Sequence, residues 1–121
     1  MISWCWSGRK QLSDIWNFHA LRKEEIVIDA LFGSGLNRGI DGVTAALIDY
    51  INSSGCEIIA IDIPTGLFVD RSSKGNTVIK ASHTLSFQCY KPAFLVAENA
   101  AYMGDVHILD IGLHLDFYSS V

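Results

Sequence analysis

An α/β fold built on a mostly parallel sheet is what these 121 residues predict. Two stretches carry that prediction, Ile26-Val27-Ile28-Asp29-Ala30-Leu31-Phe32-Gly33-Ser34-Gly35 and Ile58-Ile59-Ala60-Ile61-Asp62-Ile63-Pro64-Thr65-Gly66. Each is a run rich in β-branched residues that delivers an aspartate and then breaks into a glycine-bearing loop. A parallel sheet presents carboxylates and backbone donors at its C-terminal edge in this way, and ligands of open α/β sheets bind there. A third observation lies between the runs: Val43, Ala46, Leu47, Tyr50 and Ile51 recur at the spacing of one helix face.

The first 25 residues are the least regular, with a short helix expected over Gln11 to Leu21, where Leu12, Ile15, Trp16 and His19 show helical spacing. Trp4, Trp6 and Trp16 are heavy aromatic content for a surface tail. The first strand runs from Ile26 to Leu31, and its near-continuous apolar pattern suits a sheet covered on both faces. Gly33, Gly35 and Gly39 supply conformational freedom to the loop that ends at Asp41. The helix spans Val43 to Asn52, and Ser53-Ser54-Gly55 ends it. The second strand is Glu57 to Ile63; Pro64 stops it, because proline has no N–H and restricts the residue before it.

Residues 67–79 read as a polar loop in which Thr77 to Ile79 pair briefly. The third strand is His83 to Gln88, Leu95 to Tyr102 form a short helix or a coiled excursion, and the fourth strand is Val106 to Ile111. Asp116-Phe117-Tyr118 begin a last helix. Helices are scarce for so many strands, and a sheet needs cover on both faces. The expected whole is a Rossmann-like three-layer α/β domain, incomplete on its N-terminal side, or a small domain that finds its missing layer in a partner. Residues 1–23 stand apart from the domain-like residues 24–121.

Composition excludes several classes. Half the residues are apolar and 18% are charged, which argues against global disorder. A formal charge of -4 with no basic tract disfavours nucleic acid. No apolar run is long enough to span a membrane, and the N-terminus lacks the pattern of a secretory signal. Cys5, Cys56 and Cys89 are an odd set without paired spacing, which reads as free thiols in a reducing, cytoplasmic setting.

The glycine loop Gly33-Ser34-Gly35-Leu36-Asn37-Arg38-Gly39 departs from the dinucleotide fingerprint, since its third glycine falls one position late and no helix opens directly. Convergent backbone N–H groups there can still meet an anion, with Arg38 as a phosphate clamp; otherwise the loop is a tight turn with Arg38 in solvent. Asp29 and Asp62 each follow an apolar strand, where a carboxylate is costly unless paired, hydrogen-bonded or metal-bound. One could hold a hard cation while the other moves protons, with the Thr65 hydroxyl close by; or each caps a nearby backbone N–H. His19, His83, His107 and His114 show no zinc-like spacing. Lys91 reads more readily as a surface lysine than as a site residue, and Asn99 either reaches a ligand or terminates a turn. No nucleophile, histidine and acid set is visible, which disfavours acyl transfer.

Several ordered motifs resemble one family. Asp29-Ala30-Leu31-Phe32-Gly33-Ser34-Gly35-Leu36-Asn37, Asp62-Ile63-Pro64-Thr65-Gly66-Leu67, Lys80-Ala81 with Thr84-Leu85 and Phe87, Lys91-Pro92, and Gly104 with Asp110-Ile111-Gly112-Leu113 are similar to the NAD(P)H-hydrate epimerase domain. The resemblance covers roughly residues 24–115. It implies interconversion of the R and S forms of hydrated NADH and NADPH, a nicotinamide nucleotide repair reaction. It further implies Asp62 as the catalytic acid/base and substrate contact, Gly33 through Gly39 as the substrate loop, and a potassium ion held by Asp29 and Thr65. Thr65 stands where the family carries a serine. The family's earlier Asn-Asn-Gly-Gly-Asp-Gly loop has no counterpart in the sequence. A homo-oligomer or a companion chain carrying the missing half is therefore expected, and a dehydratase domain is often fused in such proteins. The alternatives are a non-catalytic nucleotide-binding or protein-interaction remnant, a nicotinamide- or flavin-dependent oxidoreductase, which the glycine spacing opposes, and a sugar kinase, for which no phosphate site is evident.

Overall fold

The computed structural model describes residues 20–113 and Asp116. The expectations for residues 11–19, for Trp4, Trp6, Trp16, Cys5, His19 and His114, and for residues 117–118 lie outside the described residues.

Four strands, β1 (Ile26–Asp29), β2 (Glu57–Ile61), β3 (His83–Phe87) and β4 (Asp105–Leu109), form one sheet in the order β1-β2-β3-β4. Every neighbouring pair is parallel, as the run-then-loop pattern predicts. Helix α1 (Gly42–Ser53) connects β1 to β2. Between β3 and β4 the chain makes two 3-10 turns, Pro92–Leu95 and Ala97–Asn99, and the single turn α2 (Ala100–Met103). Helix α1 ends on its serines: Ser53 Oγ donates to Asp49 O and Ser54 Oγ to Ile51 O, each at 2.7 Å. Ile51 O also accepts from Ser54 N at 3.1 Å, so the hydroxyls add donors to carbonyls at the helix end, and Gly55 then turns the chain with φ +75°.

All four strands stop earlier than the sequence suggests. At β1 the Asp29 carboxylate accepts from Leu31 N at 3.4 Å, which draws the chain out of the ladder. At β2 and β3 the next residue is left-handed, Asp62 at φ +67° and Gln88 at φ +64°. In each the N–H still reaches the neighbouring strand, Asp62 N to Leu85 O and Gln88 N to Leu109 O, both at 2.8 Å. Strand β4 also ends at Leu109 rather than Ile111, and starts one residue early after Gly104. Thr77 to Ile79 form no strand; Ile79 N makes a single backbone bond to Thr65 O at 2.9 Å.

Residues paired in parallel register share a face. Val27, Ile58, Ala60, Thr84 and Val106 therefore line one side of the sheet. Ile48 and Ile51 of α1 pack on Val27, Ile58 and Ala60 in a first core cluster. A second cluster joins Ile63, Leu67, Val78, Ala93 and Met103, with Val106 at its margin. Both clusters lie on the same side. A sheet that adds strands in chain order with connections of one hand puts every connection on one face. The other face carries Ile26, Ile28, Ile59, Ile61, Leu85, Phe87 and Leu109, and Ile26, Ile28, Phe87 and Leu109 are exposed. The apolar run of β1 suggests burial on both faces; among the described residues only one is covered.

Candidate functional site

The C-terminal ends of β1 and β2 converge on Asp29 and Thr65. Thr65 Oγ1 donates to Asp29 Oδ1 at 2.6 Å and Thr65 N donates to Asp29 Oδ2 at 2.8 Å. Phe32 N in turn donates to Thr65 Oγ1 at 3.2 Å. Asp29 and Thr65 are 3% and 1% exposed, so this knot ties the loop after β1 to the loop after β2 inside the protein. Burial pushes the Asp29 carboxyl above its ordinary value, against the opposing pull of the bonds from Thr65 and Leu31. Asp29 thus caps backbone N–H groups, one of the two roles open to it from the sequence. Gly66, just beyond, has φ +96°, and a Cβ there would run into Thr77 O.

Asp62 stands one strand further along the same edge. Its Oδ1 accepts from Phe87 N at 3.3 Å and Ser86 Oγ at 3.5 Å, and lies 3.1 Å from Lys91 Nζ. Lys91 Nζ also donates to Phe87 O at 3.1 Å. No group among the described residues donates to Oδ2. Lys91 is therefore a partner of the second aspartate, and the surface reading of this lysine is corrected. Sequence reasoning could have weighted the Lys-Pro dipeptide more heavily: it follows the strand next to the one bearing Asp62.

The loop of Gly33, Ser34, Gly35, Leu36, Asn37, Arg38 and Gly39 is mostly exposed and begins beside the Asp29–Thr65 knot. Phe32, Gly33, Gly35, Leu36, Asn37 and Arg38 line a depression of about 310 Å³. None of the three glycines has a positive φ, so none is required by the turn itself. What Gly33 and Gly35 leave is room, since nothing lies within 4 Å of where a Cβ would sit. Helix α1 starts at Gly42, so Gly33 and Gly35 do not open it directly. Arg71 steadies the loop instead, donating from Nη2 to Asn37 O at 2.9 Å while stacking on Phe68. A larger concavity of about 470 Å³, lined by Asp49, Asn76, Lys80 and Tyr102 among others, includes neither Asp29 nor Asp62.

The remaining candidates resolve as structural or distant. Asn99 is fully buried; its Oδ1 accepts from Ser73 N, and its Nδ2 donates to Ala93 O and Arg71 O. His83 and His107 sit side by side, Nδ1 to Nε2 at 3.2 Å, with Glu57 and Asp105 nearby at the opposite end of the strands. Among the described residues no group of three or more His, Cys, Asp or Glu side chains forms a metal cluster. Cys56 is buried and Cys89 exposed, both free. No helix among the described residues is long and apolar enough to cross a membrane.

Comparison with known proteins adds to this geometry. The family model described as YjeF-related protein N-terminus matches residues 7–93. A protein of Oenococcus oeni named NAD(P)H-hydrate epimerase is 33% identical over 98 residues, covering 81% of this chain and 47% of the relative. A protein of the same name from Rhodopirellula baltica is 37% identical over 92 residues, 76% of this chain and 38% of the relative. The Escherichia coli protein named bifunctional NAD(P)H-hydrate repair enzyme Nnr is 35% identical over 89 residues, 74% of this chain and 17% of the relative. The chain thus spans less than half the length of these curated relatives.

Proposed function

The chain belongs to the family of the YjeF-related protein N-terminus, and from that premise we propose that it carries the substrate-facing edge of a domain that interconverts the R and S forms of hydrated NADH and NADPH. The supporting observation is the Asp62 carboxylate: Oδ1 is held by neighbouring groups, while Oδ2 has no partner among the described residues. Hydration at C6 of the nicotinamide ring leaves a hydroxyl on the carbon next to the ring nitrogen, a hemiaminal-like centre. Asp62 takes the proton of that hydroxyl as the C6–N1 bond breaks to an aldehyde, the electron pair passing from the ring nitrogen into the conjugated carboxamide. After rotation the nitrogen re-adds to the other face of the carbonyl, and Asp62 gives the proton back to the oxygen. A carboxylate within hydrogen-bond reach of the reacting group suffices for such a transfer. The open space before Gly33 and Gly35 lets the substrate approach the backbone closely, and Arg38 supplies charge for a phosphate.

Asp29 and Thr65 suit a potassium ion in donor chemistry, since carboxylate and hydroxyl oxygens are hard ligands. Asp29 is a buried carboxylate with no cationic side chain in contact among the described residues, and its raised titration is what a bound cation would offset. Two residues supply only part of a coordination shell, so further oxygens come from elsewhere. When bound, the ion contributes a positive charge that orders the two loops; the proton chemistry stays with Asp62. Names such as bifunctional repair enzyme among the relatives support a partnership with a hydrate-removing domain.

A second reading, a non-catalytic binding or interaction remnant, is favoured by the apolar face of the sheet that the described residues leave bare. One assay separates the two: incubate purified protein with a single hydrate epimer and follow the other by chromatography. Catalysis gives conversion above the spontaneous rate, and Asp62→Asn abolishes the excess. A folded, substrate-binding Asp62→Asn protein that converts at the wild-type rate would overturn the acid/base role.

A further inference from the structure

We propose that Lys91 is a positioning residue for Asp62: its ammonium fixes the carboxylate so that Oδ2, not Oδ1, exchanges the proton with substrate. This rests on the epimerase reading above and adds a residue to it. Lys91 is itself set in place by the backbone. Pro92 opens the 3-10 turn, and a residue before proline is confined to extended conformations; Lys91 has φ -83° and ψ 148°. The lysine thus leaves β3 in a preset direction, and its side chain folds back over the strand end. An ammonium has three donors. One meets Asp62 Oδ1 and one meets Phe87 O, both at 3.1 Å.

Asp62 is fixed from the other side as well. Its backbone is left-handed, a conformation that aspartate tolerates but rarely adopts. Its N–H is tied to Leu85 O, and its Oδ1 accepts from Phe87 N. Swinging the carboxylate would break the contacts to Lys91, Phe87 N and Ser86 Oγ together. The Lys91 and Asp62 side chains are 17% and 19% exposed, so solvent screens the pair only in part. Lys91 is the one charged side chain in contact with Asp62 among the described residues. With Oδ1 engaged by Lys91, Phe87 N and Ser86 Oγ, Oδ2 is the oxygen left to act as the base. Asp62 accepts the hydroxyl proton at Oδ2 as the C6–N1 bond breaks to an aldehyde, and returns it to that oxygen when the ring nitrogen re-adds to the other face, so bonds and protons balance.

The test uses Lys91→Met and Lys91→Arg in the full chain, with two readouts. In the hydrate assay, Lys91→Met is expected to lower kcat by roughly ten- to a hundredfold with KM little changed, consistent with losing part of an acid–base contribution. Lys91→Arg, which keeps the charge but not the shape, recovers part of the rate. Independently of turnover, the Phe87 amide resonance reports the hydrogen bond to Asp62 Oδ1, and at fixed pH it moves in Lys91→Met as the carboxylate loses its anchor. The same spectra show whether the variant is folded; Lys91→Gln replaces it otherwise. A wild type without turnover sinks the epimerase reading. A Phe87 resonance, or a kcat, at the wild-type value in folded Lys91→Met or Lys91→Gln sinks the Lys91 inference.

Discussion

Thr65→Val removes one hydroxyl from the buried knot and leaves its shape nearly unchanged. In the structure that oxygen donates to Asp29 at 2.6 Å and accepts from Phe32 N at 3.2 Å. A hydrogen bond to a charged group contributes about 1.5–3 kcal/mol. Leaving the part-buried Phe32 N–H without a partner adds about 1 kcal/mol, the low end for such groups because water can approach. The expected loss is therefore about 3 kcal/mol. With a urea slope of about 1.5 kcal/mol/M for a small domain, the midpoint falls by about 2 M. Equilibrium urea unfolding at neutral pH, followed by circular dichroism, reads this directly. Thr65→Ser keeps the hydroxyl and is expected to lose less than half as much. The loss also shrinks in acid, where Asp29 carries its own proton and no longer offers a charged acceptor. A Thr65→Val midpoint within about 0.3 M of wild type, on the same slope, would refute the claim that the hydroxyl holds the two loops. Equal losses in Thr65→Val and Thr65→Ser would locate the effect in the methyl group instead.

Two further outcomes follow from the same edge and from the sheet behind it. Asp29 titrates above the ordinary aspartate range because burial disfavours its charge. The native state then binds the proton more tightly than the unfolded chain, so Asp29's contribution to stability is full below the unfolded value and is lost as pH rises through the native titration. Carboxyl NMR in choline buffer should show the raised titration, and potassium should bring it down; indifference to potassium would argue against a cation at Asp29 and Thr65. The bare face predicts concentration-dependent association in sedimentation, and Leu109→Lys, on exposed β4, should reduce it without loss of stability. A monomeric wild type at high concentration would remove the face as a docking surface.

Much of the fold was legible because it is local. The apolar runs at Ile26 and Ile58, the stripe from Val43 to Ile51 and the breaker Pro64 each report on a few neighbouring residues, and parallel pairing follows from their spacing. Strand ends were less legible. Asp62 and Gln88 leave their strands in left-handed conformations that nothing in the runs announces, while their N–H groups remain bonded to the next strand. The loop glycines mislead in a different way: Gly33, Gly35 and Gly39 suggest a backbone that needs them, yet the positive angles belong to glycines elsewhere, including Gly66 and Gly104.

By itself the sequence determined the α/β class, the two aspartates at the sheet edge, the glycine loop beside them and the family. Only the tertiary structure decided that Asp29 spends its oxygens on Thr65 and Leu31, that Lys91 belongs to Asp62, that Asn99 is a buried strut and that one apolar face is left bare by the described residues. Those facts depend on register and on which side the connections cross. Thr65 lies 36 positions from Asp29 along the chain, and only strands already aligned can bring such residues to hydrogen-bond distance. Periodicity tells a residue which way it points relative to its neighbours; it does not tell it what is waiting on that side.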